Sequence, residues 1–231
     1  MKVSVIIPCF NEKKTIKQLI EKVNKINIKK EIIVIDDGSF DGSVAILQKI
    51  KIKNIKIIFK KRNEGKGSAI KKALKFIKGD LVLIQDADLE YNPNDYYELI
   101  KPFNDKKIKA VYGSRVLNKK RYFLKRNFLK NFRVFANHLL TFISNILNNQ
   151  NLTDAHTCYK VFRSKLFLSL KLKEDGFSFC PEVTTKISKL NINIHEVPIS
   201  YNGRTVSEGK KIRFVDAIAA FTTIMKYKFF N

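Results

Sequence analysis

Short apolar runs and amphipathic stretches alternate along the first half of the chain. Val3-Ser4-Val5-Ile6-Ile7, Glu31-Ile32-Ile33-Val34-Ile35, residues 55–59, Leu81-Val82-Leu83-Ile84 and Ala110-Val111-Tyr112-Gly113 are short and mostly apolar, as strands covered on both faces are. Between them apolar residues fall at helical spacing, as in Ile16, Leu19, Ile20 and Val23. Asn11 or Glu12 is placed to cap that helix, and the Asp and Ser residues of 36–43 to cap the next. A glycine-rich turn, residues 63–67, leads into a helix over 68–77, and Pro93 suits the first turn of another. Strand, loop and helix therefore repeat four times before residue 115. This predicts an α/β fold with a mostly parallel central sheet flanked by helices.

Open α/β sheets bind ligands beyond the carboxyl ends of their strands. The fourth apolar run leads directly into Gln85-Asp86-Ala87-Asp88-Leu89-Glu90. A period of two puts Asp86 and Asp88 on one side of an extended chain. Two hard oxygen donors so placed suit Mg²⁺ or Mn²⁺ carrying a phosphate. Glu12, Asp37 and Lys66 lie in loops that should reach the same edge, so these five side chains are expected to converge. The turn at 63–67 lacks the spacing of a P-loop, which excludes an ATPase of that kind.

After Arg115 the pattern changes. Residues 119–135 alternate blocks of Lys and Arg with Phe, Leu and Tyr at near-helical spacing, and residues 136–147 continue as helix. Such a helix suits an anionic bilayer with its aromatic face down. Packing on the domain with Lys in water, or a groove for single-stranded nucleic acid, are the other readings of the same residues. A turn and a strand-like segment span 153–163. A helix follows carrying Val183, Ile187 and Leu190, then a late strand over 194–201 and a last, broadly apolar helix at about 213–228. One domain, 1–231, is expected, with halves at 1–115 and 116–231.

Charge and cysteine content narrow this only a little. The chain has 45 basic and 21 acidic residues, a formal charge of +24, which calls for an anionic partner: nucleotide, nucleic acid or lipid headgroups. The Lys excess comes with abundant Ile and Asn, so the charge permits such partners without selecting among them. Cys9, Cys158 and Cys180 are odd in number and lack metal-ligand spacing, which points to free, packing thiols in a reducing compartment. His138, His156 and His195 are far apart and read as structural. The first strand begins at once, leaving no room for a signal peptide, and no apolar run reaches the roughly 18–20 residues of a membrane span. The expected location is the cytoplasm, or the cytoplasmic face of the cell membrane.

Taken in order, VSVIIPCFNE (3–12), DDGSFDGS (36–43), NEGKG (63–67), DADL (86–89), GSR (113–115), DAHTCYKVF (154–162) and EVPISYNGR (196–204) resemble family 2 glycosyltransferases, most of all the polyprenyl-phosphate (dolichyl-phosphate) hexose synthases. The resemblance implies a GT-A fold and inverting transfer of a hexose from a UDP- or GDP-linked donor to a polyprenyl phosphate, with Mg²⁺ or Mn²⁺. Pro8, Phe10 and Glu12 match positions that hold base and ribose. Asp37 matches the acidic residue on the nucleoside, Asp86 and Ala87 the nucleoside side of the D-x-D motif, and Asp88 its metal ligand. Lys66 joins the donor site, and Glu90 sits where a second metal-side residue is common. Arg115, Arg133 and Arg204, with Asp88, are the expected catalytic set around the phosphates, and Lys210 is a weaker donor-site match.

Three departures stand out. Phe10 replaces a more usual Tyr, and Thr157-Cys158-Tyr159 replaces a commoner Thr/Ser-Gly-Phe. No membrane span follows the last residue, so attachment would rest on amphipathic helices or on a separate anchor protein. A phosphate acceptor is already anionic and needs no strong base. A sugar hydroxyl acceptor, as in cell-surface polysaccharide synthesis, would need one, with Asp154 and Glu182 as candidates. A basic nucleic-acid-binding module is the reading from another class, and no nucleic-acid partner is expected.

Overall fold

The computed structural model describes residues 1–117, 128–204 and 214–230, and their side chains except those of 128–133, 214 and 215. Seven strands form one sheet: β1 (Val3–Cys9), β2 (Lys30–Asp36), β3 (Ile55–Phe59), β4 (Leu81–Ile84), β5 (Ala110–Ser114), β6 (Lys160–Arg163) and β7 (His195–Pro198). Their spatial order is β3-β2-β1-β4-β6-β5-β7. The first four run parallel, in register Ile6↔Ile33 and Ile6↔Ile84 around the central strand. β6 is antiparallel to both β4 and β5, and β7 returns parallel to β5.

Alternation along the strands feeds two cores, one on each face. Val3, Val5, Ile7, Leu81 and Leu83 pack to one side with Ile16, Leu19, Ile20 and Val23 of α1 (Ile16–Lys25). Ile6, Ile33, Ile35, Val82 and Ile84 pack to the other. There they meet Ala69 and Ile70 of α3 (Lys66–Ala73), Phe167 of α6 (Ser164–Ser169), and Phe179 and Val183 of α7 (Phe179–Lys189). Burying each large aliphatic side chain of α1 contributes about 1.5–3 kcal/mol before conformational entropy is charged. The remaining helices are α2 (Ser43–Gln48), α4 (Tyr96–Ile100), α5 (Phe128–Asn148) and α8 (Phe214–Phe229).

Two local expectations change. α1 has Thr15 at its N-cap and no side-chain cap. The main-chain carbonyl of Glu12 accepts from the amides of Thr15 and Ile16 instead. The Glu12 carboxylate is thereby left for another task. The helix expected over 68–77 is shorter, α3 followed by a 3₁₀ turn at Leu74–Phe76.

Candidate active site

β2, β1 and β4 are adjacent and parallel, so the segments that follow them leave the sheet at one edge. They open onto a cavity of about 820 Å³. Pro8, Phe10, Glu12, Asp37, Lys66, Asp86, Ala87, Asp88, Glu90, Arg115 and Arg204 all line it, so the convergence expected from the strand pattern is present. The side chain of Arg133, and Lys210, lie outside the described residues.

The loops are built tightly. Asp37 accepts from the amides of Glu64 and Gly65 and from Lys60 Nζ, fastening the 63–67 turn to the end of β2. Gly65 has φ +99°, and a Cβ there would come within 2.5 Å of the Asp175 carbonyl oxygen, so only glycine fits. Leu89 adopts φ +62°, a left-handed conformation rare for a branched side chain. Such strain costs about 1–3 kcal/mol and gathers at functional loops. It turns the chain so that the Glu90 amide donates to Asp88 Oδ1 at 3.1 Å.

Charges in the cavity are paired. Lys66 Nζ donates to Asp86 Oδ1 at 2.5 Å and to Cys158 Sγ at 2.8 Å. Burial works against the Lys66 charge, but Asp86, with Cys158 and Cys180, more than offsets it and holds the ammonium well above its ordinary range. Arg204 reaches Glu12 with both terminal nitrogens, at 3.0 and 3.1 Å, and Asp88 Oδ2 at 3.1 Å. Asp88 is pushed up to about 7, by burial first and then by the negative charges of Asp86 and Glu90, with Arg204 pulling the other way. Glu90, expected beside a metal, has both oxygens engaged: Tyr201 Oη donates to one and the Arg204 amide to the other, each at 2.7 Å. In this arrangement it braces the loop that carries Arg204.

Arg115 forms a two-pronged pair with Asp154, Nε to Oδ2 at 2.6 Å and Nη2 to Oδ1 at 2.7 Å, and lies over the Tyr201 ring. Burial raises the Asp154 carboxyl, and Arg115 more than reverses that, leaving it below the usual range. Asp154 therefore has little basicity to offer. Glu182 is fully buried and accepts from the amides of Lys173 and Glu174 and from Lys186 Nζ. Neither carboxylate lines the cavity, so the two candidate general bases are corrected to structural anchors.

Four cavity residues read from the sequence as structural only: Cys9, Cys158, Cys180 and His156, of which Cys158 and His156 bear most on the site. Cys158 presents its thiol to Lys66 from the bend that precedes β6, where the resemblance expects glycine. His156 lines the cavity with Nε2 buried and without a hydrogen-bond partner, and burial lowers its pKa to about 4. Nothing in the local pattern marks either one, because their positions depend on β6 inserting between β4 and β5.

Residues 4–170 match the family model described as glycosyl transferase family 2. The chain belongs to that family. It is a glycosyltransferase, which settles the choice between enzyme and nucleic-acid-binding module. The UDP-N-acetylglucosamine–dolichyl-phosphate N-acetylglucosaminyltransferase of Methanococcus voltae is 28% identical over 90% of this chain and 89% of its own. The dolichyl-phosphate beta-glucosyltransferase of Dictyostelium discoideum is also 28% identical, over 98% of this chain and 73% of its own. Among solved structures, glucosyl-3-phosphoglycerate synthase from Mycobacterium tuberculosis, in complex with Mn²⁺, UDP and phosphoglyceric acid, superposes with a TM-score of 0.70. It covers 100% of this chain and 79% of that one at 17% identity, a likeness of fold, and the fold is GT-A.

Proposed function

We propose that this glycosyltransferase moves a hexose, with inversion, from a UDP- or GDP-linked donor to a polyprenyl phosphate at the cytoplasmic face of a membrane. The observation that carries the reading is the single cavity in which Asp37, Asp86 and Asp88 from neighbouring strands face Lys66, Arg115 and Arg204. The relatives named above that act on dolichyl phosphate support the acceptor.

The side chains present fit a divalent cation. Asp88 is a hard oxygen donor whose charge is held back by burial and then by the negative charges of Asp86 and Glu90, so added positive charge would be welcome there. Among the described residues no cluster of three or more His, Cys, Asp or Glu could hold a metal unaided. That suits Mg²⁺, which is commonly held by one or two carboxylates together with substrate phosphates. Asp88 would hold it, with Glu90 left to brace the Arg204 loop, and when bound it would stabilise the charge on the leaving diphosphate.

The rest falls to the chain's own groups. Pro8, Phe10 and Asp37 form the wall for base and ribose. Lys66 and Arg115 supply fixed positive charge close to the phosphates, and because each is already paired with a carboxylate, neither has to reorganise during transfer. Arg204 offers a two-pronged donor suited to phosphate. A phosphate acceptor arrives ionised, so positioning replaces general-base catalysis, consistent with Asp154 and Glu182 being committed elsewhere.

The test is transfer of radiolabelled sugar from UDP- and GDP-sugars into organic solvent with polyprenyl phosphate and Mg²⁺ or Mn²⁺. The reading predicts a lipid-linked product that disappears in Asp88→Ala. Absence of lipid product with a panel of polyprenyl phosphates and donors would overturn it.

A further inference from the structure

β4 stops at Ile84, and the loop beyond it carries Asp86 and Asp88 into the cavity. The last rung joining this segment to β1 is the Gln85 amide, which donates to the Ile6 carbonyl at 2.9 Å. The Gln85 side chain is fully buried, a costly place for an amide unless its polar atoms are paired. They are paired. Nε2 donates to the Asp86 carbonyl at 2.9 Å, and Oε1 accepts from Tyr96 Oη at 2.8 Å and from Tyr159 Oη at 2.7 Å. The partners fix the orientation of the amide, because a main-chain carbonyl only accepts and a flipped amide would set two oxygens together. Burial holds both tyrosine hydroxyls well above their ordinary range, so they stay protonated donors.

These partners come from distant parts of the chain. Tyr96 opens α4, just after the acidic loop, and Tyr159 precedes β6 in the second half. Ring packing carries the network further. Tyr91 lies 4.7 Å from Tyr159 and 5.1 Å from Tyr201, and Arg115 lies over the Tyr201 ring. Tyr91 Oη also accepts from the Cys158 amide at 3.1 Å. A run of four tyrosines thus joins the Asp86 peptide to Arg115. The α5 and α8 side of the cavity, mostly Ala136, Leu140, Ala217 and Ala220, gives the acidic loop little polar support.

We propose that Gln85 is a positioning residue for the metal-binding loop. With Tyr96 and Tyr159 it fixes the Asp86–Ala87 peptide, and through that peptide the placing of Asp88 beside Arg204. The assignment rests on the reading of Asp88 as the ligand of a divalent cation. Without the network the loop keeps its carboxylates and loses the fixed peptide plane from which Asp88 projects. Groups that orient a metal ligand from behind commonly govern about 10–100-fold in metal affinity. Tyr112 supplies the contrast. Its hydroxyl is equally buried and pairs with Thr184 Oγ1 at 3.0 Å, between β5 and α7 and away from the acidic loop.

Calorimetric titration of UDP and GDP, with and without Mn²⁺, tests this on Gln85→Met, Tyr159→Phe and Tyr112→Phe. Methionine keeps the length of glutamine and removes both ends of the amide. Tyr159→Phe removes one donor only, and carries the test if Gln85→Met does not fold. In the parent, Mn²⁺ should tighten nucleotide binding. That gain should fall at least about tenfold in Gln85→Met and about threefold in Tyr159→Phe, while metal-free affinity stays within about twofold. Tyr112→Phe should keep the whole gain, although its melting temperature falls as that of Tyr159→Phe does. Variants of Gln85 and Tyr159 that keep the parent's gain would overturn the assignment. So would an equal loss in Tyr112→Phe, which would mark general loosening. A parent whose nucleotide binding is indifferent to Mn²⁺ would overturn the cation reading and this assignment with it, a failure visible before any variant is made.

Discussion

The donor edge and the α5/α8 wall solve opposite problems in one cavity. Among the described residues of the donor edge the charges have fixed partners, as in Lys66 with Asp86, Arg115 with Asp154, and Arg204 with Glu12 and Asp88. The α5/α8 wall is uncharged for most of its length and carries its apolar side chains outward. One region is arranged to receive a small, highly charged group without reorganising; the other is arranged to shed water onto an apolar medium. The proposed transfer from a soluble donor to a lipid would use both. The contrast also shows why removing a single charge should matter far more at the first region than at the second.

The largest effect should come from Asp88→Asn, which keeps the shape and removes the charge. Sugar transfer should fall by about 10³-fold or more at saturating Mn²⁺, the scale seen when transition-state charge loses its stabilisation. Steady-state kinetics alongside an unchanged melting temperature would check it. Arg204→Ala should come next, at about 10²-fold in kcat/KM, since it removes a two-pronged phosphate donor. Equal losses from Phe142→Asp with a water-soluble short-chain acceptor would erase the contrast between the regions.

Lys66→Met probes the pairing itself. It leaves Asp86 without its cation, and breaking a fully buried pair costs about 3–5 kcal/mol. Asp86 keeps 19% of its side chain exposed, so about 2–3 kcal/mol is expected from urea melts. The smallest effect concerns pH. His156 has its pKa lowered from 6.5 to about 4, so the unfolded chain takes up a proton first as pH falls between those values. Stability from this group is complete above pH 6.5 and drains away toward pH 4, by about 1–3 kcal/mol. His156→Gln should flatten that part of the stability profile and leave the alkaline side unchanged.

Much of the donor half was legible in the residues. Unbroken apolar runs ending in Asp37 and Asp86 mark buried parallel strands, and parallel strands send their next residues to one edge. The second half resisted for physical reasons. β6 is only four residues long and includes Lys160, which is fully buried, donates to the Ala155 carbonyl and lies over the Tyr112 ring. The segment reads as strand-like from the pattern, but a lysine reads as solvent-facing, so its antiparallel insertion between β4 and β5 does not. α5 buries Thr141, Ser144 and Asn148 and turns apolar side chains outward, and periodicity alone finds the helix without choosing between an outward aromatic face and one packed on the domain. Glu12 was expected to cap a helix. Its carbonyl does so, and its carboxylate instead meets Arg204 from the far end of the chain.

The central claim is that a nucleoside diphosphate and a divalent cation share the edge formed by β1, β2 and β4. Calorimetric titration of UDP and GDP, with and without Mn²⁺, tests it most directly. The account predicts binding that weakens at least about tenfold without the metal, and an Asp88→Asn variant whose affinity no longer depends on it. Equal affinity with and without Mn²⁺, or metal-dependent binding that survives Asp88→Asn intact, would contradict it.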